Sequence, residues 1–250
     1  MSTQVFIRSL LAEFLGTAII GAATIGASAN QQSSVYVSLV VAATWALMLV
    51  LFSGPIQVHL NPALTFFHIA RGQVKARAGI WIILAQLLGA VLGVWLGGFL
   101  GGHNWWQVSS HNISNGQVFS EGLATAVLIW LIGHLSVTKR ETLVPVAVLG
   151  WLFVAGVFTS SGAVANPALT VGRMFTSDAG AEIGVQQGAF YLLAQIAGVC
   201  IAIVGMMLVT KPENGKSKKK TKKYFLFKPV PTKVSRRNRG KFLEKTDSFF

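Results

Sequence analysis

The sequence predicts an all-α membrane protein: six transmembrane helices and two re-entrant half-helices arranged as an inverted repeat. Three observations carry this prediction. Six apolar stretches are long enough to span a bilayer, the phrase Asn-Pro-Ala-Leu-Thr is written twice, and other landmarks recur at a nearly constant offset. Composition agrees. The 250 residues are 52% apolar and 12% charged, with mean hydropathy +0.58, whereas a soluble domain averages about 25% charged.

The spans are about Leu10–Ala27, Val35–Ser53, Gly79–Leu100, Val118–Val137, Leu143–Ser160 and Gln187–Val209. Each is near the length a transmembrane helix needs, with at most one charged residue inside. The first is not a cleaved signal peptide: it carries Glu13 and lacks a small-residue cleavage site. Basic residues flank one side only. They are Arg8, then Arg71, Lys75 and Arg77, then Lys139 and Arg140, then the C-terminal tail; the opposite loops, 28–34 and 101–117, have no Lys or Arg. That asymmetry places both termini in the cytoplasm. The absence of an organelle-targeting segment points to the cell (plasma) membrane.

The half-helices start at Asn61-Pro62-Ala63 and Asn166-Pro167-Ala168, 105 residues apart. Asn is a good N-cap, and Pro at the next position has no N–H to lose and a φ suited to a helix. Pro62–Ala70 and Pro167–Thr176 are each roughly 15 Å long, half of a ~30 Å hydrocarbon core. Glu13-Phe14-Leu15-Gly16-Thr17 returns as Glu121-Gly122-Leu123-Ala124-Thr125, and Ala85-Gln86-Leu87-Leu88-Gly89 as Ala194-Gln195-Ile196-Ala197-Gly198, at offsets of 108 and 109. Three spans per half is odd, so the second half enters the membrane from the opposite side and a site forms at the midplane. There the two half-helix N-termini meet, each with unpaired N–H groups and roughly +0.5 of an elementary charge, a barrier to cations and protons. Each Asn is expected to aim its amide at the lumen. Glu13 and Glu121 are expected to brace the loops before the half-helices by accepting backbone N–H groups, or else to sit in an interhelical packing network.

These phrases resemble the major intrinsic protein family, the aquaporins and glycerol facilitators, over residues 5–210. The resemblance implies a right-handed bundle, usually a homotetramer with one pore per subunit, and passive conduction of water or small uncharged solutes. One departure matters. Most of the family continues the second phrase with an Arg that lines the selectivity filter; here the residue is Leu169. Ungapped spacing from the two Asn residues carries the remaining filter positions to Val41, Val154 and Ala163, with Ala42 or Trp45 as alternatives to Val41. Such a filter has no side-chain donor and no charge. It favours solutes of low desolvation cost, such as glycerol, other small polyols, ammonia, urea, hydrogen peroxide or gases, and an apolar ring can also close by dewetting.

Arg173, four residues after Leu169, falls on the same helical face. It either borders the outer vestibule or caps carbonyls or pairs with Asp178 near the outer surface. His59 either lines the cytoplasmic pore entrance or packs. His68, His103, His111 and His134 show no metal-ligand spacing, and no cofactor is called for. Gly16, Gly89, Gly93, Gly97 and Gly198 suit close helix crossings. Trp105 and Trp106 read as interfacial anchors, while the Asn112-Ile113-Ser114 sequon carries no argument.

Of the formal net charge of +13, +11 lies in residues 211–250. The chain therefore divides into a channel domain, 1–210 (repeats about 5–105 and 115–210), and a basic, disordered cytoplasmic tail, 211–250. The tail suits anionic lipid headgroups, at about 1 kcal/mol per basic residue near the surface; its juxtamembrane position disfavours nucleic acid. No catalytic constellation is visible, so an enzyme is not expected. An ion-coupled transporter would need ionisable residues on the pathway, and Glu13 and Glu121 suit bracing better. A closed, structural membrane protein of the same fold is the remaining alternative.

Overall fold

The computed structural model describes residues 3–30, 33–52, 58–102, 114–176 and 181–209. Among the described residues six helices have spanning length: α1 (Thr3–Ala29), α2 (Ser34–Leu51), α4 (Ala76–Leu100), α5 (Asn115–Val137), α6 (Val144–Phe158, preceded by a 3-10 turn at Glu141–Leu143) and α8 (Val185–Val209). Two are short, α3 (Pro62–Ala70) and α7 (Pro167–Arg173). The predicted spans and half-helices are thus all present. The tail, Trp105, Trp106, His103, His111, Asn112 and Asp178 lie outside the described residues.

Local chemistry sets the ends. Asn61 and Asn166 are extended N-caps whose side-chain oxygens accept from the Ala63 and Ala168 N–H groups at 2.8 and 3.0 Å, with Pro first in each helix. Ser114 and Gln117 form a reciprocal capping box on α5. The second half-helix stops at Arg173 rather than at the expected Thr176. Met174 and Phe175 donate to carbonyls three residues back, and the Arg173 carbonyl accepts from Ile183 N–H. These tighter bonds end the α-helix a turn early.

The packing follows the repeat. In the first half α1 lies against α4, and in the second α5 lies against α8; α2 meets α6 across the halves. Small residues allow the approach. A Cβ on Gly93 would stand 2.1 Å from the Ala18 carbonyl oxygen, and one on Gly198 2.5 Å from that of Gly122. Backbone cannot yield as a side-chain tip does, so Gly93→Val is expected to destabilise the protein by at least the roughly 1–3 kcal/mol of overpacking. A thermal melt in detergent would register this; an unaltered melting temperature would show that the α1–α4 crossing tolerates separation. The outer faces remain apolar and exposed, among them Leu88, Leu96, Val146, Ile201 and Met207. Helices apolar on every side belong in lipid.

Arg71, Lys75, Arg77, Lys139 and Arg140 are exposed at one end of the bundle, called here the basic end. Both half-helices start in the middle of the bundle, and α3 runs toward the basic end while α7 runs away from it.

Candidate functional site

The centre is built by two loops whose bracing hydrogen bonds repeat each other. Glu13 accepts from the backbone N–H groups of His59 and Leu60, both at 2.6 Å; Glu121 accepts from Val164 and Ala165, both at 2.9 Å. Gln86 Nε2 donates to Glu13 at 2.8 Å and to Thr65 Oγ1 at 3.1 Å. Gln195 Nε2 donates to Glu121 at 2.7 Å and to Thr170 Oγ1 at 2.9 Å. Both carboxylates are fully buried. A buried carboxylate needs partners, and non-helical backbone at membrane depth needs acceptors; each satisfies the other.

The loops are strained in the same place. Leu60 has φ of 56° and Ala165 has φ of 46°, a left-handed conformation that costs an L-residue roughly 1–2 kcal/mol. The strain turns each preceding pair of N–H groups toward its Glu and each carbonyl inward. Those carbonyls receive the Asn amides crosswise: Asn61 Nδ2 donates to Ala165 O at 2.8 Å, and Asn166 Nδ2 to Leu60 O at 2.9 Å. This refines the expectation of amides aimed at the lumen. One N–H of each amide ties the halves together, which leaves one for a passing solute. Spacing alone pointed to the Glu pair and the Asn pair. It did not assign a role to Gln86, Gln195, Thr65 or Thr170, although the recurring Ala-Gln-x-x-Gly and the Thr closing each Asn-Pro-Ala-Leu-Thr phrase were the available signal.

On the far side from the basic end lies a vestibule of about 660 Å³. Its rim is polar, with Ser34, Gln117, Ser160, Gln187 and Tyr191 on the wall together with Arg173 and Glu182. Arg173 lines the cavity, and its Nε donates to the Ala181 carbonyl; the alternative partner, Asp178, lies outside the described residues. Toward the centre the wall turns apolar, formed by Val41, Trp45, Leu152, Ala163, Val164 and Leu169. There the vestibule ends. Asn61 and Asn166 have 0% exposure, so in this conformation a water-sized sphere reaches neither.

One filter assignment needs correction. Val154 is 52% exposed on the outside of α6 and does not line the cavity, whereas Leu152 and Gly156 do. Seven non-helical residues, Thr159 to Ala165, separate α6 from Asn166, so counting back from Asn166 does not preserve the helix face. On a helix with 100° per residue, Val154 stands about 200° round from Leu152, while Val148, Leu152 and Gly156 share the inward stripe. Trp45, one turn beyond Val41, is the largest side chain in the apolar floor and is 1% exposed. Val41, Ala163 and Leu169 line the same cavity.

On the other side of the Asn pair, His59 and His68 stack with ring centroids 4.6 Å apart and planes 12° apart. Both are buried. Among the described residues no group of three or more His, Cys, Asp or Glu could hold a metal.

Comparison with known proteins agrees with this architecture. The profile of the family named "Major intrinsic protein" matches residues 1–144. The aquaglyceroporin AqpS of Rhizobium meliloti (strain 1021) is 26% identical over 220 residues, covering 82% of this chain and 91% of that protein. The X-ray structure of the aquaglyceroporin from Plasmodium falciparum superposes with a TM-score of 0.62 at 20% identity, covering 81% of this chain and 94% of that one. At that identity the likeness speaks for the fold. With two braced Asn-Pro-Ala half-helices meeting in a six-span bundle, and the family profile matching more than half of its length, the chain belongs to the major intrinsic protein family, integral multi-pass membrane channels for small solutes such as glycerol or water.

Proposed function

We propose that this chain passively conducts small uncharged solutes, glycerol foremost, and excludes ions and protons. The observation that carries the reading is the floor of the vestibule. It is apolar and lacks the filter arginine, since Leu169 stands where the family resemblance expects that residue. An ion entering an apolar ring loses its hydration with nothing in return, and beyond the ring two half-helix N-termini oppose cations. A neutral polyol loses less, and finds the second N–H of each Asn amide below. In this reading Val41, Trp45, Leu152, Ala163 and Leu169 form the constriction, Asn61 and Asn166 the midplane donors, Glu13 and Glu121 the loop braces, His59 the entrance from the basic end, and Arg173 the vestibule rim. No cofactor is needed.

The surroundings follow from the same physics. The basic end faces the cytoplasm of a plasma membrane by the distribution of Lys and Arg, so the vestibule opens outward. Residues 1–210 form the channel domain, and the 211–250 tail meets anionic lipid headgroups. The family architecture supports a homotetramer.

A second reading has its own observation. Because the Asn pair is shut off from the vestibule, the pore is either gated or belongs to a non-conducting structural protein of the same fold. Stopped-flow light scattering on proteoliposomes separates these. Glycerol entry well above that of empty liposomes is expected, with Leu169→Arg lowering it by about tenfold, a loss of about 1.4 kcal/mol, as a guanidinium fills the floor. Wild-type liposomes as tight as empty ones would refute the glycerol channel.

A further inference from the structure

From the histidine stack we infer a second solute-binding station: His59 and His68 present two hydrogen-bond acceptors on the basic-end half of the pathway, for neutral solutes that donate. The inference deepens the channel reading and rests on it.

The acceptor character follows from the partners of each ring. His68 Nδ1 lies 2.6 Å from Gln73 Oε1, and a carbonyl oxygen only accepts, so Nδ1 carries the proton and Nε2 a lone pair. His59 Nδ1 lies 3.0 Å from Thr65 Oγ1 and 4.0 Å from Glu13 Oε1. The single Thr65 O–H has a carbonyl to meet, Asn61 O at 3.2 Å, and the adjoining carboxylate favours an N–H over a lone pair. The proton of His59 is therefore assigned to Nδ1 as well. Both Nε2 atoms are left as acceptors, and among the described residues both are buried without a partner. An unpaired buried acceptor is costly, and polar side chains in cores usually avoid it.

The inverted repeat places the pair on the pathway. Val164 and Arg173 both line the vestibule; they stand two residues before and seven residues after Asn166. His59 and His68 stand at the same offsets from Asn61. The symmetry that turns one face of α7 and its loop to the vestibule turns the matching face of α3 and its loop to the other half of the channel. A solute leaving the midplane, where the Asn amides donate, next meets acceptors. Water, a polyol hydroxyl and a urea-type amide N–H all fit this chemistry; an ether or a gas does not. A donor entering beside them supplies the partner that these atoms lack in the closed conformation, and so favours a conformation that admits it.

The test uses His68→Phe, which keeps an aromatic ring in the stack and removes the acceptor, with His68→Gln returning an acceptor. Proteoliposome entry of glycerol, urea and water is measured for each. Glycerol and urea entry should fall about tenfold in His68→Phe and recover in part in His68→Gln. Equal loss for water identifies water as a ligand of the station, and loss for the larger solutes alone identifies the polyol and amide donors. A conducting wild type with an equally conducting His68→Phe overturns the station and leaves the channel standing, whereas a non-conducting wild type overturns the channel itself. Should His68→Phe fail to fold, nitrogen NMR of histidine-labelled wild type decides. Glycerol titration should move the Nε2 resonances of both rings, and fixed resonances overturn the proposal.

Discussion

Trp45→Ala is expected to raise glycerol entry into proteoliposomes by about tenfold or more and to admit longer polyols that the wild type rejects. The indole is the bulkiest group between the vestibule and the Asn pair, and every 1.4 kcal/mol taken off the barrier to passage is about a factor of ten in rate. Removing it joins the vestibule to the midplane and widens the apolar ring without adding charge. Ion exclusion should therefore persist, and a proton flux appearing in the variant would assign that exclusion to the ring rather than to the half-helix ends. Trp→Ala truncation in a full core costs about 3–5 kcal/mol; Trp45 faces a cavity on one side, so less is expected here. Trp45→Phe keeps most of the packing and should give an intermediate flux. Val146→Ala, on the outer surface, is the control for reconstitution. Unchanged entry in Trp45→Ala would move the constriction to Leu152 and Leu169.

The largest loss of stability is expected for Glu13→Ala. It removes the acceptor for the His59 and Leu60 N–H groups and for Gln86 Nε2 together. Each orphaned donor costs roughly 1–3 kcal/mol, and Leu60 loses the N–H bond that helps hold its left-handed backbone. The expected outcome is a protein that melts far below the wild type in detergent, or fails to accumulate, and that conducts nothing. Glu13→Gln tests the cause more finely. It keeps the volume but replaces one acceptor oxygen with an NH₂ group facing donors, so stability should fall by less and conduction should suffer. Glu121→Gln should behave alike, because Glu121 makes the matching bonds to Val164, Ala165 and Gln195. A Glu13→Gln protein with wild-type melting and flux would reduce the carboxylate to a packing group.

The two half-helices were legible because their signal is local. An Asn cap followed by Pro inside an apolar run has few other uses, and its recurrence beside Glu13/Glu121 and Gln86/Gln195 disclosed the inverted repeat. The spans were legible for a related reason: in lipid the helix must satisfy its own backbone, so length and hydropathy suffice. Their edges were less so. The early end of α7 at Arg173 depends on Ile183 returning to the Arg173 carbonyl, a bond between residues ten apart that no periodicity encodes.

What the sequence by itself determined, then, is the set of elements, their inverted order and the identity of the polar groups at the centre, all consequences of backbone hydrogen bonding in an apolar medium. What only the tertiary structure decided is which faces look inward. Val154 and Leu152 are equally apolar, and the choice between them rests on the rotation of α6 against α2. Similarly, the stack of His59 on His68 arises where one loop folds back over its own half-helix, and the crosswise Asn bonds arise from two strained loops brought together across more than a hundred residues. Side chains of one chemistry differ in role only through direction, and direction is set by packing.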